Sequence, residues 1–264
     1  MEENKVLVSV VTTCYNQERH ISQTIQSIAV QTYPHWELVI VDDCSTDRSQ
    51  KIIKKWVKKL KIDDRVKIVN HKTNTGCGRS LRDAIEKSSG ELIAVVDGDD
   101  SLNNQKALSL MVKVHRKNPG AALVYSNYTE CNRNLRPMVK YKTRQLEEGG
   151  KYLGTKIRIS HLKCFKRKFY NMTGGVNPNL RQTVDKDLVL KLEEVGKLVH
   201  LNVDLYNYRQ HKKNLTKSFG EKPRGYRSSV TKLRLEVYAE ARKRRGLPPK
   251  PLIKKKKKKK KKRR

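Results

Sequence analysis

Over the first 125 positions, apolar residues follow two alternating patterns. Nearly unbroken apolar runs at 6–11, 38–41, 66–69, 92–96 and 121–125 read as strands buried on both faces. Between them, Ile21, Ile25 and Ile28 recur at helical spacing, as do Ile53, Trp56, Val57 and Leu60, then Leu81, Ala84 and Ile85, then Leu108, Met111, Val112 and His115. Asp47 or Ser49 stands where a cap would open the second helix, Gly90 where a glycine would close the third, and Asn118-Pro119-Gly120 where the fourth must stop. This alternation predicts an α/β fold, a mostly parallel sheet with helices on both faces.

After residue 126 the periodicity weakens. Residues 161–170 look strand-like, Thr173-Gly174-Gly175 marks a turn, and Leu188, Leu190 and Leu192 behind Asp185 and Asp187 read as a helix. A basic amphipathic helix is expected over 226–245, with Val230, Leu233, Val237 and Ala241 on one face and Gly246, Pro248, Pro249 and Pro251 ending it. The expected organisation is a ligand-binding half over 1–125, a second half of the same domain over 126–219, the basic helix within 220–246, and a low-complexity, disordered lysine tail over 247–264.

In a sheet of this kind ligands bind beyond the carboxyl ends of the strands. The polar residues expected there are Thr12, Thr13, Tyr15 and Asn16 after the first strand, Asp42 and Asp43 after the second, and Asp97, Asp99 and Asp100 after the fourth. Five carboxylates on one edge repel one another, so something positive is required among them. An EF-hand loop counted from Asp97 would need Gly and Glu where Leu102 and Leu108 stand. Gly76-Cys77-Gly78-Arg79-Ser80 lacks the Gly-Lys-Ser/Thr of a phosphate-cradling loop. A hard divalent ion, Mg²⁺ or Mn²⁺, held by one or two carboxylates and completed by substrate phosphates, fits best.

Charge adds to this picture. Sixty Lys and Arg against 26 Asp and Glu give +34, and +23 remains without the wholly basic run 254–264. Such a field draws in polyanions: nucleic acid, anionic lipid or phosphorylated substrates. Nucleic acid is the weaker alternative, because strand-end carboxylates repel phosphates unless a metal intervenes and no RNA-recognition aromatic motif is present. The tail is expected to meet an anionic membrane surface. No apolar run is long enough to span a bilayer, and the amino terminus does not read as a secretory signal, so the expected location is cytoplasmic, peripheral on the inner face of the membrane. Five widely spaced cysteines without a Cys-x-x-Cys pair point to neither zinc nor dithiol chemistry.

The stretch VSVVTTCYNQERHISQTIQSIAVQTYPHWELVIVDDCSTD (8–47) resembles the opening of family-2 glycosyltransferases of the GT-A fold. The likeness continues through 78–100, TGGVNPNLRQTVDKDLVLKL (173–192) and LYNYRQHKKNLTKS (205–218), about four-fifths of the chain in order. The resemblance implies a metal-dependent, inverting transfer of a sugar from a nucleotide-sugar donor, most often a UDP-sugar, to a hydroxyl of a glycan or lipid-linked acceptor in polysaccharide or glycoconjugate synthesis. It implies that Thr13 and Tyr15 line the nucleotide pocket, that Asp43, with Asp42 beside it, hydrogen-bonds the base, and that Asp97, Asp99 and Asp100 meet ribose and metal-diphosphate. DGDD offers two registers of the family's DxD motif, Asp97-x-Asp99 and Asp99-Asp100, with Asp99 or Asp100 as the direct ligand of Mn²⁺ or Mg²⁺. The resemblance implies that Asp185 sits at the catalytic base, in a motif where this chain has Val184 in place of the usual Glu; a free Asp is a weak base, and partial burial would raise it toward the working pH. Tyr208-Arg209-x-His211 resembles a late segment of the family that closes over the diphosphate, where Arg209, His211 or Lys212 could add positive charge.

Overall fold

A computed structural model of the chain describes residues 5–147, 151–153, 155, 157–211, 214 and 226–249, with the backbone alone for 226–230. Its strands are β1 (Val8–Cys14), β2 (Trp36–Asp42), β3 (Val66–Asn70), β4 (Leu92–Val95), β5 (Ser101–Leu102), β6 (Ala121–Cys131), β7 (Pro137–Tyr141), β8 (Lys163–Lys166) and β9 (Lys197–Arg209). Its helices are α1 (Ile21–Ala29), α2 (Ser49–Leu60), α3 (Cys77–Lys87), α4 (Ala107–Lys117), α5 (Arg167–Asn171), α6 (Val184–Val195) and α7 (Tyr226–Arg244). They build one nine-stranded sheet in the order β3-β2-β1-β4-β8-β6-β9-β5, with β7 paired to β6. The β3-β2-β1-β4 block is parallel, as expected, and β6 and β9 run parallel to each other. Antiparallel β8 lies between β4 and β6, so β6 keeps the direction of the first block.

The alternation of side chains along each strand sorts the core into two layers. Val8 and Val10 of β1 with Leu38 and Ile40 of β2 face α1, α2 and α4 through Ile25, Ile53 and Met111. Val11, Val39 and Val41 face the other way, toward Ala84 and Ile85 of α3 and Leu188 of α6. Helix α7 joins this second layer through Val237 and Ala241, as its apolar pattern predicts. Its end is pinned to α6 by Arg244–Glu194 at 2.9 Å, Arg245–Glu193 at 2.9 Å and Arg245–Glu194 at 3.1 Å. The division drawn after residue 125 runs through β6, and the expected tail lies outside the described residues from 250 onward.

Several local expectations are corrected. The segment 161–170 is half strand and half helix, β8 followed by α5. Gly90 does not close α3, which ends at Lys87. It is needed because the chain crosses β1 there: a Cβ would lie 2.6 Å from the Leu7 carbonyl, and its N–H donates to Ser9 Oγ at 2.7 Å. At α2, the Asp47 carboxylate accepts the Ser49 N–H at 2.9 Å, one residue before the formal cap Arg48. Strands β7 and β9 carry mixed rather than unbroken apolar runs, because they lie toward one margin of the sheet with much of their length partly exposed.

One buried carboxylate ties the parallel block together. Glu37 accepts from Ser9 Oγ (2.7 Å), Lys67 Nζ (2.9 Å), and the Ser89 N–H and hydroxyl, linking β1, β3 and the approach to β4. Burial alone would raise its pKa, but these donors outweigh it and hold the group at about 2. A depressed carboxylate adds stability that is complete above its unfolded pKa and is lost as pH falls through the folded value. Chemical denaturation between pH 5 and pH 2 is therefore expected to show a larger loss of stability in wild type than in Glu37→Gln, with the variant about 2 kcal/mol less stable at pH 7.

Candidate active site

The carboxyl ends of β1, β2 and β4 meet as the strand pattern predicts. Beyond β4 the chain stays beside β1: Val96 N–H donates to Val11 O at 3.1 Å and Gly98 N–H to Thr13 O at 3.2 Å. Gly98 is required by this closeness, since a Cβ there would sit 2.6 Å from the Thr13 carbonyl. The turn that follows closes with Asp100 N–H on Asp97 O at 3.0 Å, and α1 supports it through the Thr24 hydroxyl, 2.7 Å from the Asp100 carbonyl.

The three carboxylates of this turn have separate surroundings. Asp100 is fully buried and accepts the Arg209 N–H at 2.7 Å and the Tyr206 hydroxyl at 2.9 Å. Tyr206 in turn accepts the Asp97 N–H at 3.0 Å, so β9 holds both ends of the turn. Burial drives the Asp100 pKa well above the ordinary range, and the charges of Asp99 and Asp97 push the same way. Burial lifts Asp97 to about 6; Lys163 opposes the rise, while Asp99 and Asp185 add to it. Asp99 faces His211, with Oδ2 to Nε2 at 2.9 Å, and the His211 ring lies against that of His20 at 4.5 Å between centroids.

A histidine from elsewhere completes the acidic group. Among the described residues, Asp97, Asp100 and His161 are the set whose ligand atoms all lie within 4.8 Å of one another. His161 stacks on Tyr206 (4.4 Å, 8°) and Tyr208 (5.2 Å, 18°). Burial, aided by Lys163, keeps its pKa well below normal, so the ring is neutral and has a nitrogen lone pair to offer. Carboxylates with a neutral imidazole suit a divalent ion, and a cation would relieve the mutual repulsion of the turn, so the residues present fit Mn²⁺ or Mg²⁺. Sequence reasoning gave His161 no role; 61 residues separate it from Asp100, and its only sequence signal was a polar position just before a buried strand.

The other expected site residues fall around this centre. Thr13 lies at the end of β1 and Tyr15 projects just beyond, 46% exposed. Asp42 is buried, and Oδ1 accepts Ser45 N–H and Gln50 Nε2, which makes it a brace for the loop after β2. Asp43 accepts the Thr75 N–H and hydroxyl, the Gly76 N–H and a contact from His71 Nδ1. Burial would raise Asp43, but these donors lower it below the usual carboxylate range. The glycine-rich segment thus spends its first N–H groups on Asp43, and Gly78 N–H goes to Leu180 O. Arg209 is buried, with Nε on the Asp99 carbonyl and Nη1 on the Arg133 carbonyl, so it shapes the acidic turn from behind. Lys212 lies outside the described residues.

Asp185 opens α6, and its charge reaches both Asp97 and Cys77. Partial burial is not found: Asp185 itself is exposed at the start of the helix, while Val184, Asp187, Leu188 and Val189 around it are buried. Thr183 immediately before it adopts a left-handed backbone at φ 60°, and Asn16 and Cys44 do so in the loops after β1 and β2. Non-glycine residues in that region cost of order 1 kcal/mol and persist only where the surroundings impose them.

The family model described as Glycosyl transferase family 2 matches residues 9–175, more than half of the chain. The chain belongs to glycosyl transferase family 2. It is 39% identical over 102 residues to the putative teichuronic acid biosynthesis glycosyltransferase TuaG of Bacillus subtilis, covering 39% of each chain. It is 31% identical over 211 residues to the chondroitin synthase of Pasteurella multocida, covering 79% of this chain and 21% of that protein. The match thus spans about two-fifths or less of these curated relatives. Among solved structures, Staphylococcus aureus TarS 1–349 in complex with UDP superposes with a TM-score of 0.67 at 20% identity, over 89% of this chain and 65% of that one. The mannosyltransferase PcManGT of Pyrobaculum calidifontis, in complex with GDP-Man and Mn²⁺, gives 0.64 at 19%, over 94% and 66%. Both share the GT-A fold of this family-2 chain.

In this family-2 frame Gly98 becomes a direct test of the turn. Gly98→Ala forces the turn away from Thr13 and is expected to cost about 1–3 kcal/mol in denaturant melts.

Proposed function

We propose that the chain is an inverting glycosyltransferase that takes a nucleotide sugar, most often a UDP-sugar, as donor and a hydroxyl of a glycan or lipid-linked glycan as acceptor, in the building of a polysaccharide or glycoconjugate. The observation that carries this reading is the convergence of Asp97, Asp99 and Asp100 with Asp185 at one sheet edge of a family-2 fold, beside a neutral His161 and the Asp99–His211 pair. TarS with UDP and PcManGT with GDP-Man and Mn²⁺ support the donor class.

Asp97, Asp100 and His161, with Asp99 and His211 beside them, would hold Mn²⁺ or Mg²⁺, which when bound neutralises the departing diphosphate as a Lewis acid. Thr13 and Tyr15 flank the nucleotide, and Asp43 sets the base pocket through Thr75 and Gly76. Asp185 accepts the proton of the acceptor hydroxyl as its oxygen bonds the anomeric carbon and the bond to the diphosphate oxygen breaks; attack from the opposite face inverts that carbon.

A thermal melt with UDP plus Mn²⁺ is expected to shift upward more than with UDP or Mn²⁺ alone. Asp185→Asn is expected to keep that shift and lose about 10²–10⁴-fold in transfer rate, read as nucleotide release in single-turnover mixtures. Equal rates in the two proteins would remove Asp185 from the mechanism, and no joint effect of UDP and Mn²⁺ would remove the donor reading.

No helix among the described residues is long and apolar enough to cross a membrane. The basic run 254–264 is proposed to hold the enzyme on anionic lipid at the cytoplasmic surface, each basic residue contributing up to about 1 kcal/mol before screening. Flotation with phosphatidylserine vesicles is expected to recover the protein at low salt and release it at high salt. Equal recovery after deletion of 254–264 would end that part of the proposal.

A further inference from the structure

One cavity is absorbed by nothing described so far. It has a volume of about 300 Å³ and lies between β6, β7 and the segment before β8, lined by Tyr128, Tyr141, Lys142, Arg144, Ile157 and Arg158. Tyr128 and Tyr141 stack at 5.0 Å with their planes 11° apart. The Arg158 guanidinium lies over the Tyr141 ring at 5.5 Å, and Nη1 donates to the Tyr128 hydroxyl at 3.0 Å. This combination fixes the cation in place beside a flat aromatic pair. Arg144, Lys142 and Arg158 are exposed, so their charged ends reach the solvent side of the cavity. Glu130 approaches from the strand, with Oε2 3.5 Å from the Tyr141 hydroxyl, one carboxylate against three cations.

Its position relates it to the acidic centre. Tyr128, which lines the cavity, meets the His161 ring edge-on at 5.5 Å, and His161 belongs to the cluster with Asp97 and Asp100. A molecule in the cavity is therefore separated from the carboxylates by two rings, Tyr128 and His161. A volume at the lower end of the roughly 300–1,000 Å³ of small-ligand pockets admits a terminal sugar unit. Aromatic faces pack against the apolar C–H face of a pyranose, and arginine binds carboxylate or phosphate through paired N–H groups.

We propose that this cavity is an acceptor subsite set back from the reacting hydroxyl and that it takes a sugar unit of the acceptor bearing an acidic group, a uronate carboxylate or a phosphate, with the ring against the Tyr128–Tyr141 pair and the anion on Arg158, Arg144 and Lys142. This inference rests on the transferase reading above and adds the charge of the acceptor to it. With Glu130 as one carboxylate against three cations, an acidic sugar gains a charge pairing that a neutral one lacks, so charge discriminates between acceptors.

Calorimetric titration of the full chain with three probes tests it: a disaccharide ending in glucuronic acid, the same disaccharide with that carboxyl reduced to the alcohol, and glucose 6-phosphate. The acidic disaccharide is expected to bind about tenfold or more tightly than its reduced form, since a charged hydrogen-bonded pair is lost in the latter. Tighter binding of the phosphate than the uronate would assign the phosphate source. Arg158→Gln is expected to erase the preference and Arg158→Lys to keep part of it. Should Arg158→Gln fail to fold, the exposed pair Lys142→Gln with Arg144→Gln serves in its place, with the same loss expected. Equal affinity for the acidic and reduced forms, no uptake of any probe, or an undiminished preference in a folded variant overturns the proposal. UDP with Mn²⁺ titrated into the same wild-type sample reads the donor site separately: no uptake there beside intact acid discrimination would sink the transferase reading and not the anion site.

Discussion

The site depends on a repulsion that the fold does not relieve by itself. Asp97, Asp99 and Asp100 occupy a four-residue turn, Asp100 fully buried and Asp97 lifted to about 6. Each added charge raises the cost of ionising its neighbours, and removal from water multiplies it. The chain holds the arrangement by geometry: Gly98 lets the turn lie against β1, Thr24 supports it from α1, and Tyr206 and the Arg209 N–H grip it from β9. Lys163 and the buried Arg209 supply positive charge nearby, yet the Arg209 side chain points its nitrogens at carbonyls rather than at the carboxylates. The turn is thus built and braced while its charge is only partly compensated, which is the condition a divalent ion would complete.

The second half of the molecule exists largely to brace that turn. Strand β9 is the longest in the sheet and delivers Tyr206, Tyr208, Arg209 and then His211 to the same edge. Strand β8, inserted antiparallel, brings His161 and Lys163 in from the opposite direction. One continuous hydrogen-bonded sheet therefore carries residues more than a hundred positions apart into contact, and the aromatic stack of His161 between Tyr206 and Tyr208 fills the space beneath them.

What could be read from the chain followed from burial. The parallel block was legible because strands covered on both faces carry unbroken apolar runs, and the carboxylates that end those runs could be placed on one edge without coordinates. The layers were legible from helical spacing, α7 included. The hairpin partner β7 and much of β9 were not, because partly exposed strands mix polar with apolar residues and lose the signal. His161 and Tyr206 were invisible as site residues, since their partners are set by strand order and not by spacing. The adjacent pair Asp42 and Asp43 was legible as a strand end, but which of their oxygens the loops would consume depended on His71, Thr75 and Ser45 arriving from elsewhere.

Helix α6 has a different occupant at each end. Its first residues present Asp185, and its last residues are clamped by Arg244 at the end of α7 and Arg245 just beyond it. Twelve residues of helix form a stiff rod of about 18 Å. A rod seized at its foot fixes the aim of its tip, so the C-terminal arginines govern where that carboxylate stands without ever coming near it.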